Sequence, residues 1–219
     1  MEPRKLRARA LLLDMDGTLV NSDPVVERCW RRWAARHGLD GDHVLTVVHG
    51  RQGHATMAAL LPHRTMAENY AENAELLAEE TADTEGVTAI PGAPALLAAL
   101  RGHPHALVTS ASQELALTRL AAAGLPVPQV RVTAERVSAS KPDPEGFLKG
   151  AAELGFAPEE CLVFEDAGVG IAAAKAAGMR VVGVGPRAAG HTPTVHVRSL
   201  EQVRVEPHPD GGLVVTVTA

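Results

Sequence analysis

Two aspartates, Asp14 and Asp16, stand two residues apart and lead directly into Gly17-Thr18. Three other stretches carry groups able to act beside them: Thr109-Ser110, Lys141 within Ser140-Lys141-Pro142-Asp143-Pro144, and Glu165-Asp166. Brought together, these supply four carboxylates, two hydroxyls and one ammonium group. Carboxylates gathered so closely repel one another, and some stay protonated unless a cation sits among them. Magnesium suits such a set: it takes hard oxygen ligands, needs few carboxylates, and keeps positions for water and a substrate phosphate. Zinc would call for His or Cys at ligand spacing, and neither accompanies these residues. Hydroxyls and a lysine facing the same point would neutralise the oxygens of a phosphate. A carboxylate can also attack phosphorus, splitting one hard hydrolysis into two displacements.

Such a convergence needs a scaffold, and the hydrophobic pattern supplies one. The run 8–13, closing on Asp14, suits a central strand of a parallel sheet buried on both faces. A helix is expected to start with Asp23 as N-cap and Pro24 at its first position. Val26, Cys29, Trp30, Trp33 and Ala34 recur at helical spacing up to a stop at Gly38. Residues 54–61 and 65–83 also favour helix, so 24–84 reads as a helical block, with a return crossing near 85–92.

Helix and strand then alternate. Helices are expected over 94–101, 113–123, 145–154 and 170–177, and strands over 106–110, 130–133, 161–166 and 180–184. The tail, 203–205 and 213–215 around Asp210-Gly211-Gly212, reads as a hairpin. Repeated βα units imply an α/β fold, a doubly wound parallel sheet with an inserted all-helical cap. The core would comprise 1–20 and 87–219 and the cap 21–86. Ligands of such sheets bind at the carboxyl ends of strands, where all four stretches fall.

Composition narrows the partners. With 21 Lys+Arg against 26 Asp+Glu and 3% aromatics, there is no basic tract and little to stack on bases, so nucleic acid is not expected. No apolar run is long enough to cross a membrane. The basic start 1–9 lacks the apolar length of an export signal, and Cys29 and Cys161 are read as buried small residues. A reduced, cytoplasmic protein is expected.

Asp14-Met15-Asp16-Gly17-Thr18-Leu19-Val20, Val108-Thr109-Ser110, Lys141-Pro142-Asp143-Pro144 and Phe164-Glu165-Asp166 resemble, in order, the four motifs of the haloacid-dehalogenase-like (HAD) superfamily. More narrowly, the chain resembles bacterial sugar and hexitol phosphatases of the β-phosphoglucomutase-like group. Residues 84–93, 132–137 and 165–172 carry that closer likeness. The resemblance implies a Mg²⁺-dependent phosphatase acting on small phosphorylated sugars or polyols, as a monomer or weak homo-oligomer. It makes Asp14 the nucleophile and Asp16 the acid that protonates the leaving alkoxide and then activates water. Thr109, Ser110 and Lys141 would hold the phosphoryl oxygens. Asp14, the Asp16 backbone carbonyl and Asp166 would ligate Mg²⁺, with Glu165 in support. The cap would close through hinges at 20–23 and 86–89, and Arg51 in its Gly-rich stretch 49–54 would reach substrate.

Alternatives remain open on sequence alone. The β-phosphoglucomutase relatives carry a cap histidine four residues before a tryptophan; Trp30 matches the tryptophan and Val26 stands at the histidine position, which favours hydrolysis over a phosphosugar mutase. Gly168-Val169-Gly170-Ile171-Ala172-Ala173 formally matches a dinucleotide fingerprint and leaves an NAD(P) oxidoreductase as a remote reading. Taken singly, Thr109-Ser110 and Glu165-Asp166 can also be read as helix caps, and Lys141 and Arg51 as surface charges. Their joint placement carries the functional reading.

Overall fold

The structure is a computed structural model that describes residues 3–209 and 211–218. Met1 and Glu2 of the basic start, and Asp210 of the expected hairpin turn, lie outside the described residues. The run expected as one strand over 8–13 is two, β1 (Arg4–Ala8) and β2 (Ala10–Leu13), in different sheets. Arg9 forces the break, because a strand buried on both faces has no room for its charge. Its side chain instead stays half exposed, 3.7 Å from Glu160.

A loop leads from β2 to β3 (Val20–Asn21), followed by α1 (Asp23–Arg36), α2 (Gly41–Val48), α3 (Gly53–Leu60) and α4 (Met66–Ala82). Ser22 stands at the N-cap position of α1, one residue before the expected Asp23, without a side-chain capping bond. Val25 rather than Val26 joins Cys29, Trp30, Trp33 and Ala34 on its buried face. Helix α2 escapes the sequence reading because Val44, Thr46, Val47 and Val48 are β-branched and weak helix formers. An Asp40 cap, accepting from the Asp42 amide at 2.9 Å, helps start it. Helix α4 opens with a reciprocal capping box between Thr65 and Glu68.

Strand β4 (Thr88–Ala89) then returns antiparallel to β3, pairing Val20 with Ala89 and Asn21 with Thr88. Helix α5 (Ala93–Ala99) and β5 (His105–Val108) begin the alternating series. It continues through α6 (Gln113–Ala122), β6 (Val130–Val132), α7 (Glu145–Leu154), β7 (Cys161–Glu165) and α8 (Gly168–Ala176). Strand β8 (Arg180–Val184), the short α9 (Gly185–Ala188) and β9 (Val195–Val197) complete it. The last parallel strand, β9, was not expected. The tail hairpin, β10 (Val203–Pro207) and β11 (Leu213–Val217), forms as expected and takes β1 as a third, antiparallel strand.

The main sheet is parallel, in the order β6-β5-β2-β7-β8-β9. Strand β2 lies inside it, and the two-residue period of a strand sends Ala10 and Leu12 to one core, Leu11 and Leu13 to the other. Strand β7 divides likewise, Cys161 and Val163 against Leu162 and Phe164. Both faces are therefore covered, as a parallel sheet requires. Cys29 and Cys161 are buried free thiols. Among the described residues no helix is long and apolar enough to cross a membrane.

Candidate active site

Because β2, β5, β6 and β7 run parallel, the residues following them emerge at one edge of the sheet. Asp14 leaves β2 with its amide donated to the Phe164 carbonyl at 3.0 Å, and Thr109 leaves β5 with its amide on the Val132 carbonyl at 2.9 Å. Lys141 follows β6 and is joined to Pro142 by a cis bond. It is no surface lysine: only 8% exposed, it donates to Asp14 Oδ1 and to Glu165 Oε1, both at 2.7 Å. The Val108 carbonyl is 3.3 Å away, and the Phe147 ring lies against the ammonium at 5.1 Å.

The electrostatics follow from burial. Burial drives the Asp14 carboxyl well above the usual carboxylate range; Lys141 opposes that shift, while Glu165 and Asp166 reinforce it. Asp166 is pushed up to about 7, first by burial and then by the charge of Glu165, against the pull of Arg187. Burial alone would lower the Lys141 pKa, but Asp14 and Glu165 outweigh it and hold the group charged. Oxygens of Asp14, Glu165 and Asp166 come within 4.8 Å of one another. An all-oxygen, buried set whose carboxylates resist ionising together fits a hard divalent cation such as Mg²⁺. Glu165 already accepts from Lys141 with one oxygen and from the Ala167 amide at 2.7 Å with the other, which makes it a buttress.

Glycines let these groups approach. Gly17 has φ +82°, and a Cβ there would collide with the Asp166 carboxylate. A Cβ on Gly170 would strike the Glu165 carboxylate. Gly170 of the fingerprint-like stretch thus serves packing against an acid, the wrong neighbour for a pyrophosphate, while Gly168 packs against the His191 ring.

Between this edge and α1–α4 lies a cavity of about 80 Å³. Asp14, Asp16, Thr109 and Ser110 line it from the sheet side, Val26, Trp30 and Asn73 from the helices, and Arg51 from the segment between α2 and α3. Thr109 Oγ1 accepts the Ala111 amide at 3.1 Å, which leaves its own proton to donate. Ser110 Oγ donates to the Gly50 carbonyl at 3.0 Å, and the Gln52 amide donates to Ser140 Oγ at 3.0 Å. These bonds seat the segment 49–52 on the sheet edge and bring Arg51 to the cavity, where it pairs with no carboxylate of the described residues. Lys141 and Asp166 stand behind Asp14 and do not line this cavity.

Three charged residues that sequence reasoning passed over join the site. Arg119 of α6, 3% exposed, places Nη1 3.0 Å from Asp16 Oδ1 and donates from Nη2 to Glu80 Oε2 of α4 at 2.7 Å. Arg187 donates from Nε to Asp166 Oδ2 at 2.8 Å and from Nη1 to Asp23 Oδ1 and Oδ2 at 3.0 and 2.9 Å. A signal existed for two of them. Arg119 falls on the buried stripe of α6 with Leu115, Ala116 and Leu120, and Glu80 falls one turn after buried Leu76. A charge on an apolar stripe calls for a partner. Arg187, on a four-residue helix, offers no such pattern.

Comparison with known proteins gives the chain a family and relatives. A family described as haloacid dehalogenase-like hydrolase matches residues 8–178. Hexitol phosphatase A of Escherichia coli is 44% identical over 217 residues, covering 96% of this chain and 100% of the relative. Glycerol-1-phosphate phosphohydrolase 1 of Saccharomyces cerevisiae is 33% identical over 194 residues, 84% of this chain and 77% of that one. The crystal structure of β-phosphoglucomutase from Clostridium difficile superposes with a TM-score of 0.73, covering 90% of this chain and 93% of that one. At 23% identity that likeness speaks to the fold alone.

Proposed function

The chain belongs to the haloacid dehalogenase-like hydrolase family, and from that premise we propose that it hydrolyses phosphate monoesters of small sugar alcohols and sugars through a covalent intermediate on Asp14. One arrangement supports the reading above the rest: buried Asp14, held at 2.7 Å by buried Lys141, with Asp16 beside it at the cavity. The named activities of the hexitol and glycerol-1-phosphate relatives support the substrate class.

In the first step an Asp14 carboxylate oxygen attacks phosphorus. The new P–O bond forms as the ester P–O bond breaks, and Asp16 delivers its proton to the departing alkoxide, releasing the alcohol. In the second step Asp16, now a carboxylate, takes a proton from water as the water oxygen bonds to phosphorus. The acyl-phosphate bond breaks, returning Asp14 and releasing inorganic phosphate. Lys141 opposes the rise that burial imposes on Asp14 and so favours its ionised, nucleophilic form, and Glu165 holds Lys141 in place. Thr109 and Ser110, both lining the cavity, would meet the non-bridging oxygens of the phosphoryl group as it moves to Asp14. Asp14, Asp166 and the Asp16 backbone carbonyl would hold Mg²⁺, which supplies charge to offset that on the phosphoryl oxygens.

We read 21–86 as a cap over a core of 1–20 and 87–219, its hinges at the β3–β4 ribbon and its contribution the exclusion of water and the reading of the alcohol. Arg51, uncommitted and at the cavity, is the cap residue we assign to substrate. Val26 lines the cavity with no proton to exchange, which favours hydrolysis over phosphoryl return to a second hydroxyl.

The test is phosphate release from hexitol, hexose, deoxy-sugar and glycerol phosphates with Mg²⁺, with β-glucose 1-phosphate scored for glucose 6-phosphate. We expect release from hexitol or hexose phosphates and its loss in Asp14→Asn. Full activity in Asp14→Asn, or turnover that survives EDTA, would overturn the mechanism. Accumulation of glucose 6-phosphate would make the protein a mutase.

A further inference from the structure

We infer that Arg119 is a positioning residue for Asp16 and that Glu80 of α4 holds it there, so that the acid–base carboxylate is set only while α4 lies over α6. The inference rests on the proposed role of Asp16 as proton donor and acceptor. Its starting point is the guanidinium itself. At 3% exposure Arg119 has left water, and an arginine so buried needs carboxylates around it. It has two, from separate parts of the chain: Asp16 at 3.0 Å in the loop after β2, and Glu80 at 2.7 Å on α4. Nε finds no hydrogen-bond partner, so these two carboxylates alone orient the planar fork.

The two arms differ. Nη2 makes an aligned hydrogen bond to Glu80, whereas Nη1 meets Asp16 Oδ1 as a close ion pair without hydrogen-bond alignment. Glu80 is thus the anchor, and Asp16 is the group being placed. Oδ1 of Asp16 is buried against the guanidinium, while the side chain as a whole keeps 30% exposure. The accessible part of the carboxylate therefore faces the cavity, where the leaving oxygen would stand. Among the described residues no other charged side chain forms an ion pair with Asp16. Without Arg119 the carboxylate is free to swing about its own bonds. Without Glu80 the guanidinium is free to leave it. Because Glu80 comes from the helical block and Arg119 from the α/β core, the chain of contacts exists only in the covered arrangement. Coverage of the cavity and alignment of the proton donor become one event.

A merely structural salt bridge predicts something different, and two esters separate the cases. An alkyl phosphate releases an alkoxide that needs its proton in the transition state, whereas p-nitrophenyl phosphate releases a phenolate that leaves without one. Both share the second step, in which Asp16 activates water. In Arg119→Met we expect kcat on sorbitol 6-phosphate to fall about 10²-fold, the cost of roughly 1 Å of misplacement, with KM changed by less than about threefold. Stopped-flow with p-nitrophenyl phosphate should then show a nitrophenol burst of one equivalent at near wild-type rate, followed by slow turnover. Glu80→Gln should share the pattern more weakly and add nothing in the Arg119→Met background. Arg119→Lys, able to reach one carboxylate at a time, should recover only part of the rate.

Because Arg119→Met leaves Glu80 buried alone, Arg119→Met with Glu80→Met serves as a second variant that removes both charges from the core, and it should show the same burst. Equal loss of burst rate and alkyl-phosphate kcat, a change confined to KM, or no change would each overturn the inference. A wild-type protein that releases neither phosphate nor nitrophenol would overturn the proposed function first, and this inference with it.

Discussion

Lys141 is where the physical reasoning is most exposed to measurement. Its ammonium is 8% exposed and spans Asp14 and Glu165 at 2.7 Å each. Lys141→Met keeps the length of the side chain and its contact with Phe147, and removes only the charge and its protons. Two buried carboxylates are then left facing each other without a cation, and breaking a buried pair in this way costs about 3–5 kcal/mol. For a chain of this size each kcal/mol is worth about 2–4 °C, so the metal-free variant should melt roughly 6–20 °C below wild type at neutral pH.

The pH dependence has a definite sign. The folded Asp14 carboxyl already titrates above its ordinary 3.8, and removing Lys141 takes away the group that lowers it. A carboxyl whose folded value exceeds its unfolded one costs stability above the folded value, and that cost fades as the pH falls to the unfolded value. The gap between variant and wild type should therefore narrow towards about pH 4. Adding Glu165→Gln to Lys141→Met should restore part of the loss. The assay is thermal unfolding in EDTA across this pH range. A loss below about 1 kcal/mol, or a gap that widens in acid, would refute the view of Lys141 as the counter-charge of a buried acid pair.

Other predictions bear on the same edge of the sheet. Asp16→Asn should slow phosphate release from an alkyl phosphate by roughly 10²–10⁴ with KM little changed, the span of a positioned acid–base group; an effect on KM alone would remove that role. Asp166 is pushed up to about 7, so between its ordinary 3.8 and that value the folded protein holds a proton the unfolded chain has lost, and stability falls as pH rises through this window. The proposed Mg²⁺ would take the place of that proton, so its thermal stabilisation should be larger at about pH 8 than at about pH 5 and should vanish in Asp166→Asn, as read by melts with and without the metal. Gly17→Ala should lose about 1–2 kcal/mol to its left-handed backbone and, in addition, weaken Mg²⁺ binding by displacing Asp166. Gly102→Ala is the control, with φ +81° and nothing within 4 Å of the added methyl: its melt should move and its Mg²⁺ affinity should not.

The parallel sheet, most of its helices and the residues at its carboxyl edge were legible from the amino-acid order, because those features are local. An apolar run ending in an acid marks β2 and Asp14. A glycine at φ +65° stops α6, and another at φ +78° stops α7. Where local signals conflict, the reading failed. Arg9 divides what looks like one strand, and the β-branched residues of α2 conceal a helix that exists because packing and the Asp40 cap favour it.

Which charges meet is a different matter. Four strand-end stretches could be listed from the sequence, and the rule that ligands gather at strand ends was enough to group them. It could not say that Lys141 would lie between Asp14 and Glu165, or that Arg119 would reach across to Glu80. The amino-acid sequence by itself determined the chemistry at hand, the kinds of groups and the order of strands that deliver them. The tertiary structure decided which of those groups share a charge. Helical and strand periodicity act over a few residues, but the pairing of buried ions is settled by packing between distant elements, where exclusion of water leaves each charge only the partners within its reach.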